Sequence, residues 1–133
     1  FNEPKHLGYL ELEKDCSKRY VLSHLNQVEI VFVYIKYFGY ECAKPKITKA
    51  FKNCLEALRV QRQYSETITM FWTYIINYLI LKNPELENFD EFINKNKELS
   101  NNQLLKSYYS SDILLDFSSY TSFLKPDLKK LPE

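Results

Sequence analysis

Ile68 to Leu81 reads ITMFWTYIINYLIL, fourteen consecutive residues without a charge. A stretch this apolar must leave water, and its length decides how. Crossing a bilayer takes about 20 apolar residues, whereas runs of about 10–14 belong to core helices. The run also carries Thr69, Thr73 and Asn77, opens after Ser65-Glu66 and closes at Lys82-Asn83-Pro84. Ile68, Phe71, Trp72, Ile75 and Leu79 recur at the spacing of one helix face, and Tyr74, Tyr78 and Leu81 widen it. The reading is a central helix of a water-soluble fold, covered on more than one side, with no membrane span.

The other segments agree in type. Arg19–Phe38 is a second apolar stretch in which Leu22, Leu25, Val28, Phe32, Ile35 and Phe38 keep helical spacing. The β-branched and aromatic residues Ile30–Tyr34 leave a buried strand as the alternative there. Gly39 stands where a left-handed C-terminal cap is expected. Pro45 suits the first turn of a following helix, whose stripe is Ile47, Phe51, Cys54, Leu55 and Leu58. Asn83 and Pro84 are expected to cap and start another helix, with Glu85, Glu87 and Asp90 complementing its dipole and Leu86, Phe89, Phe92 and Ile93 inside. Ser100 and Gln103 fit a capping box for a helix running to about Tyr109. A last segment restarts at Ser111-Asp112, carries Ile113, Leu114, Phe117, Tyr120, Phe123 and Leu124, and ends at Pro126. The ends, about 1–6 and 126–133, are expected to fray.

With only two glycines in 133 residues, turn-rich sandwiches and barrels are excluded, as are glycine-rich phosphate loops. The expected fold is all-α: an irregular globular bundle of six or seven helices in a single domain, residues 1–133. Beginning at Phe1 rather than Met, the chain is expected to be a piece of a larger protein. The three cysteines, Cys16, Cys42 and Cys54, form an odd set without C-x-x-C spacing, and no glycosylation sequon occurs. Both features point to reduced thiols and an intracellular home, cytoplasmic or nuclear.

No route to catalysis is visible. His6 and His24 do not make a zinc-ligand set with the cysteines, Cys16 and His24 do not make a nucleophile–base pair, and no nucleotide, calcium or zinc-protease motif occurs. The chain is expected to be non-enzymatic and to need neither cofactor nor metal.

Charge is where the sequence becomes informative. The net charge is +1, too small for a global pull on nucleic acid or anionic lipid. From Lys36 to Arg62, however, seven basic residues face two acidic ones. Lys49, Lys52 and Arg59 fall away from the apolar stripe, with Arg62 nearer its border, and together with Lys46 they form a candidate partner-contact face. Glu85, Glu87, Asp90 and Glu91 form an acidic patch. Tyr108, Tyr109 and Tyr120 would anchor an interface if exposed, and would otherwise be half-buried core residues. A bipolar surface suits a protein partner, so the expected function is a protein–protein docking or scaffold domain. The alternative is a nucleic-acid-binding helical module that sets Lys46–Arg62 on phosphates.

Two short stretches carry a family likeness. SSYTSFLKPDL (Ser118–Leu128) resembles the closing S-Y-x-x-F-L helix of regulator-of-G-protein-signalling domains, and ETITMFW (Glu66–Trp72) resembles their E-N-x-x-F-W element. The second departs from the pattern by one inserted residue and by Thr67 in place of the partner-contacting asparagine. The likeness implies an all-helical fold, and no functional residue carries over.

Overall fold

A computed structural model describes residues 23–58 and 64–133. Among them are six α-helices, two 3-10 turns and no strand, so the fold is all-α. The residues fall into two compact units, Phe1–Tyr64 and Ser65–Glu133.

In the first unit α1 (His24–Phe38) packs against α2 (Tyr40–Leu58). The Ser23 hydroxyl accepts the Asn26 N–H at 3.2 Å and starts α1. The expected start near Arg19 lies outside the described residues. Ile30–Tyr34, the stretch with strand character, is helical throughout. Val28, Val31, Phe32 and Ile35 are buried, with Ile30 and Tyr34 beside them, whereas Leu25 of the expected stripe is exposed.

Gly39 alone connects the two helices. Its N–H closes α1 on the Ile35 carbonyl at 2.8 Å, and its own carbonyl receives the Ala43 N–H of α2 at 2.9 Å. It does both at φ 84°, ψ 157°, a region reserved for glycine. Because α2 therefore starts at Tyr40, Pro45 lies inside the helix rather than in its first turn as expected. There it has no N–H to give the Glu41 carbonyl, and it sits on the exposed side. Ala43, Ile47, Ala50, Phe51 and Cys54 are the buried side.

The second unit is built on α3 (Glu66–Lys82), followed by α4 (Phe89–Lys95), a 3-10 turn (Lys97–Ser100), α5 (Gln103–Tyr108), α6 (Ser111–Leu114) and a second 3-10 turn (Phe117–Tyr120). Phe71 is fully buried at its centre. Its ring lies 5.1 Å from Trp72, 5.2 Å from Tyr108 and 5.6 Å edge-on to Tyr109. Such aromatic pairs contribute about 0.5–1.5 kcal/mol each beyond the area they bury. The buried side of α3 is wider than its apolar stripe. Thr67, Thr69 and Thr73 are buried, while Leu81 is exposed. Thr73 can be inside because its hydroxyl donates to the Thr69 carbonyl one turn back, at 2.8 Å.

Three local expectations change. Asn83 does not open a helix; it closes α3 by donating its N–H to Leu79 and Ile80. Pro84–Glu85 is a turn, and α4 begins only at Phe89, where the Asn88 side chain accepts the Asp90 and Glu91 N–H groups. Ser100 lies in the first 3-10 turn, so the Gln103 N–H goes to the Asn101 side chain rather than into a capping box. The last helix stops at Leu114 instead of Pro126. Asp116 accepts the Ser118 N–H at 2.8 Å, and the buried Ser119 hydroxyl lies 2.7 Å from the Asp116 carbonyl and 3.1 Å from that of Leu114. These bonds offer the backbone a tight turn in place of a continued helix.

Residues 121–133 then run without helix as a strap. The Thr67 hydroxyl donates to the Ser122 carbonyl at 2.7 Å and accepts the Leu124 N–H at 2.9 Å. The Tyr109 hydroxyl donates to the Leu124 carbonyl at 2.7 Å, and that of Tyr74 donates to the Pro132 carbonyl at 2.6 Å. The Leu128 N–H returns to the Tyr108 carbonyl at 3.0 Å.

Two substitutions test these junctions. Thr67→Val keeps the volume but strands a donor and an acceptor, so it should destabilise the second unit by about 2 kcal/mol or more. Urea titration followed by Trp72, the only tryptophan, reads this directly. Gly39→Ala meets no atom within 4 Å, so its expected cost of about 1–3 kcal/mol is purely conformational. A loss of helical circular dichroism at lower urea measures it; an unchanged midpoint would refute the strained-junction account.

Candidate docking surfaces

Three residues of the expected basic face lie among the described residues. Lys46, Lys49 and Lys52 are all exposed on one side of α2, spaced three residues apart, with Cys42 and Pro45 on the same side. Arg59 and Arg62 lie outside the described residues. Two of these lysines rest on rings of their own unit. The Lys46 ammonium lies 4.8 Å over Phe38 and that of Lys52 lies 5.1 Å over Tyr64. A ring beneath an ammonium steadies it without neutralising it, so the charge stays available to an incoming anion. Lys44 differs: it bonds Glu41 at 2.9 Å and lies 4.7 Å over Tyr40. The hydrogen bond to Glu41 raises the Lys44 pKa; burial opposes it, and lesser charge effects of Tyr40 and Glu41 add to the rise.

The acidic patch belongs to the second unit. Glu85 and Glu87 lie in the connection before α4, and Asp90 and Glu91 in its first turn; all four are exposed. Only Asp90 and Glu91 therefore complement the helix dipole.

The tyrosine anchors need correction. Tyr108 and Tyr109 are 5% and 2% exposed and pack on Phe71, so neither is available as an interface anchor. Burial, with a smaller contribution from the Asp127 charge, pushes the Tyr109 phenol above its ordinary pKa. The Asp127 carboxylate is held below its usual range by the Ser110 side chain and N–H, the latter at 2.8 Å. Tyr120 alone of the three is half-exposed, with its ring edge-on to Phe117 at 6.2 Å.

In place of those anchors the structure presents an apolar turn. Phe117 is 81% exposed, Leu115 is 73% exposed, and Phe123 and Leu128 also face solvent. The helix ends at Leu114, before either Phe117 or Phe123, and both face outward. The only signal in the sequence was the run of potential cap residues, Asp116, Ser118 and Ser119, inside an apparent helix.

The cysteines also differ from expectation. Cys54 is on the buried stripe, as predicted, but it is disulfide-bonded, and Cys42 is exposed and free. Among the described residues no group of three or more His, Cys, Asp or Glu side chains could hold a metal ion, and no helix is long and apolar enough to cross a membrane.

No protein-family model matches the chain, no curated protein matches it, and no solved structure matches its fold. The local resemblance to the closing helix of regulator-of-G-protein-signalling domains also loses its structural basis. Ser118–Leu128 is the end of a 3-10 turn and a strap, not a helix.

The raised Tyr109 pKa has a signed consequence. A phenol whose pKa is higher in the folded state adds stability that is complete below its ordinary value of about 10 and is lost as pH rises beyond it. Tyr109→Phe should therefore lower stability at neutral pH by about 1 kcal/mol, and its deficit against the parent chain should narrow above pH 10. Urea midpoints at matched pH values measure the gap; a constant gap would remove Tyr109 from the alkaline response.

Proposed function

We propose that the chain is a non-catalytic docking domain that binds another protein, with the apolar turn Leu115–Phe123 as its principal contact. The observation that carries this reading is Phe117. A phenylalanine left 81% exposed on a turn braced by side-chain caps is out of place unless something covers it. Its geometry suits an anchor: the flanking 3-10 turn is held by Asp116 and Ser119, and Tyr120 meets the ring edge-on. A ring held this way loses little freedom when it enters a partner's apolar pocket.

The basic side of α2 and the acidic patch before α4 fit the same reading as orienting surfaces. Exposed charges steer encounter and fix register more than they add affinity. The nucleic-acid alternative has a narrower footing. Three described lysines span about 9 Å of helix at 1.5 Å per residue, a short track for a phosphate backbone.

The reading is tested by capture of partners from an extract of the source cells. Phe117→Ala with Leu115→Ala should reduce capture by about tenfold or more while leaving the Trp72 unfolding curve unchanged. Reversal of Lys46, Lys49 and Lys52 to Glu should weaken capture less, and mainly at low salt. Equal capture by the Leu115/Phe117 variant would eliminate the turn as the contact.

A further inference from the structure

We infer that the apolar turn is covered by a second copy of this chain, whose acidic connection before α4 receives the lysines of the strap. The inference rests on the docking reading and names the protein that fits it. In the second unit ten acidic residues stand against seven basic ones, yet the strap from Phe123 to Lys130 reverses the sign. Lys125, Lys129 and Lys130 are exposed there, interspersed with the exposed Phe123 and Leu128. The one acid among them, Asp127, turns its carboxylate back onto the Ser110 N–H at 2.8 Å. The backbone that carries these cations is fastened: the Leu124 N–H and carbonyl are bonded to Thr67 and Tyr109, and the Leu128 N–H to the Tyr108 carbonyl. The Lys129 ammonium lies 4.9 Å over the Tyr108 ring, which steadies the charge without neutralising it.

The complement is on the same unit. Leu81 is 69% exposed at the end of α3, and the connection after it carries Glu85 and Glu87, with Asp90 and Glu91 in the first turn of α4. Half-buried Leu86 and Phe89 add apolar surface among those carboxylates. The cation beside Leu81, Lys82, lies 5.1 Å over the Tyr78 ring one turn back. Among the described residues no ion pair joins Lys125, Lys129 or Lys130 to Glu85, Asp90 or Glu91, so the two charge sets do not satisfy each other within one chain. Each surface thus pairs exposed apolar side chains with one sign of charge, and the signs are opposite. Two copies can set lysines on carboxylates and cover apolar area from both sides in one contact. An anionic bilayer or a nucleic acid fits less well, because a uniformly negative surface would also meet Asp112 and Asp116 beside Leu115 and Phe117.

The test is sedimentation of the full chain from about 1 to 500 µM, at low salt and at about 0.5 M salt. The weight-average mass should climb above that of one chain at low salt and fall back at high salt. Lys125→Glu with Lys130→Glu should raise the dissociation constant about tenfold or more, and so should Glu85→Lys with Glu91→Lys. Both pairs leave the strap's hydrogen bonds and Lys129 untouched, and Trp72 emission checks that each variant is folded. Mixing the two reversed chains should restore association, because each again meets the opposite sign. A parent chain that stays monomeric, reversals without effect, or a mixture that stays monomeric would each overturn the inference, as would binding of phosphatidylserine vesicles by a chain that does not self-associate. If a monomeric chain still captures partners through Phe117, the inference falls and the docking reading stands.

Discussion

One hydroxyl, that of Thr67, holds the two ends of the second unit together. It lies in the first turn of α3, fully buried, donates to the Ser122 carbonyl and accepts from the Leu124 N–H. A strap without helix or strand has no ladder for its backbone polar groups, and those it buries must find partners elsewhere. Here the partners are side-chain hydroxyls projecting from helices: Thr67 and Tyr74 from α3, and Tyr109 from the end of α5. An all-apolar α3 would bury as much surface but would leave the strap's amides and carbonyls unpaired. The hydroxyls of α3 thus serve backbone groups: Thr67 and Tyr74 those of the strap, and Thr73 the Thr69 carbonyl of its own helix.

The exposed turn follows from the same arrangement. Ser65, one residue before α3, accepts the Ile68 N–H and donates to the Ser119 carbonyl, while Thr67 holds Ser122. The backbone between Leu114 and Leu124 is thereby fastened at Ser119, Ser122 and Leu124. Leu115 and Phe117 precede these points, on the turn that the Asp116 and Ser119 bonds close. Breaking buried hydrogen bonds costs about 1–3 kcal/mol for each group left unpaired, comparable to what burying one of the two side chains would return. The turn therefore stays out, and its exposure is a property of the fold.

How far the sequence foretold this depends on which forces decide each segment. The long helices were legible because apolar spacing persists over several turns: α1, α2 and α3 lie where the stripes Leu25–Phe38, Ile47–Leu58 and Ile68–Leu79 pointed. Gly39 was legible as a positive-φ residue, but nothing local said that the next helix would start one residue later. Between Asn83 and Tyr120 the helices shorten to one or two turns, where periodicity has too few repeats to outvote capping. Asn83, Asn88, Asn101 and Asp116 could each have opened or closed a helix, and packing around Phe92 and Leu99 selected among them. Tyr108 and Tyr109 were ambiguous for a related reason. A tyrosine is compatible with surface or core until its hydroxyl acquires a partner, and Tyr109 finds one only in the distant Leu124 carbonyl. The cysteine count does not say which cysteine pairs: Cys54 is disulfide-bonded and Cys42 is free.

Magnitudes explain why a partner would be held by the apolar turn and not by the lysines that first drew attention. An exposed ion pair contributes about 0–1 kcal/mol and is screened by salt, so Lys46, Lys49 and Lys52 together reach at most about 3 kcal/mol. Micromolar affinity needs about 8 kcal/mol after the cost of immobilising two molecules. Burying one large apolar side chain returns about 1.5–3 kcal/mol and is insensitive to ionic strength, and four such side chains are exposed at Leu115, Phe117, Phe123 and Leu128. The strap also holds the backbone of the turn before any partner arrives, so less of that return is lost to ordering. Charge can choose the orientation of approach, but the residence time of a complex would be set where Phe117 is covered.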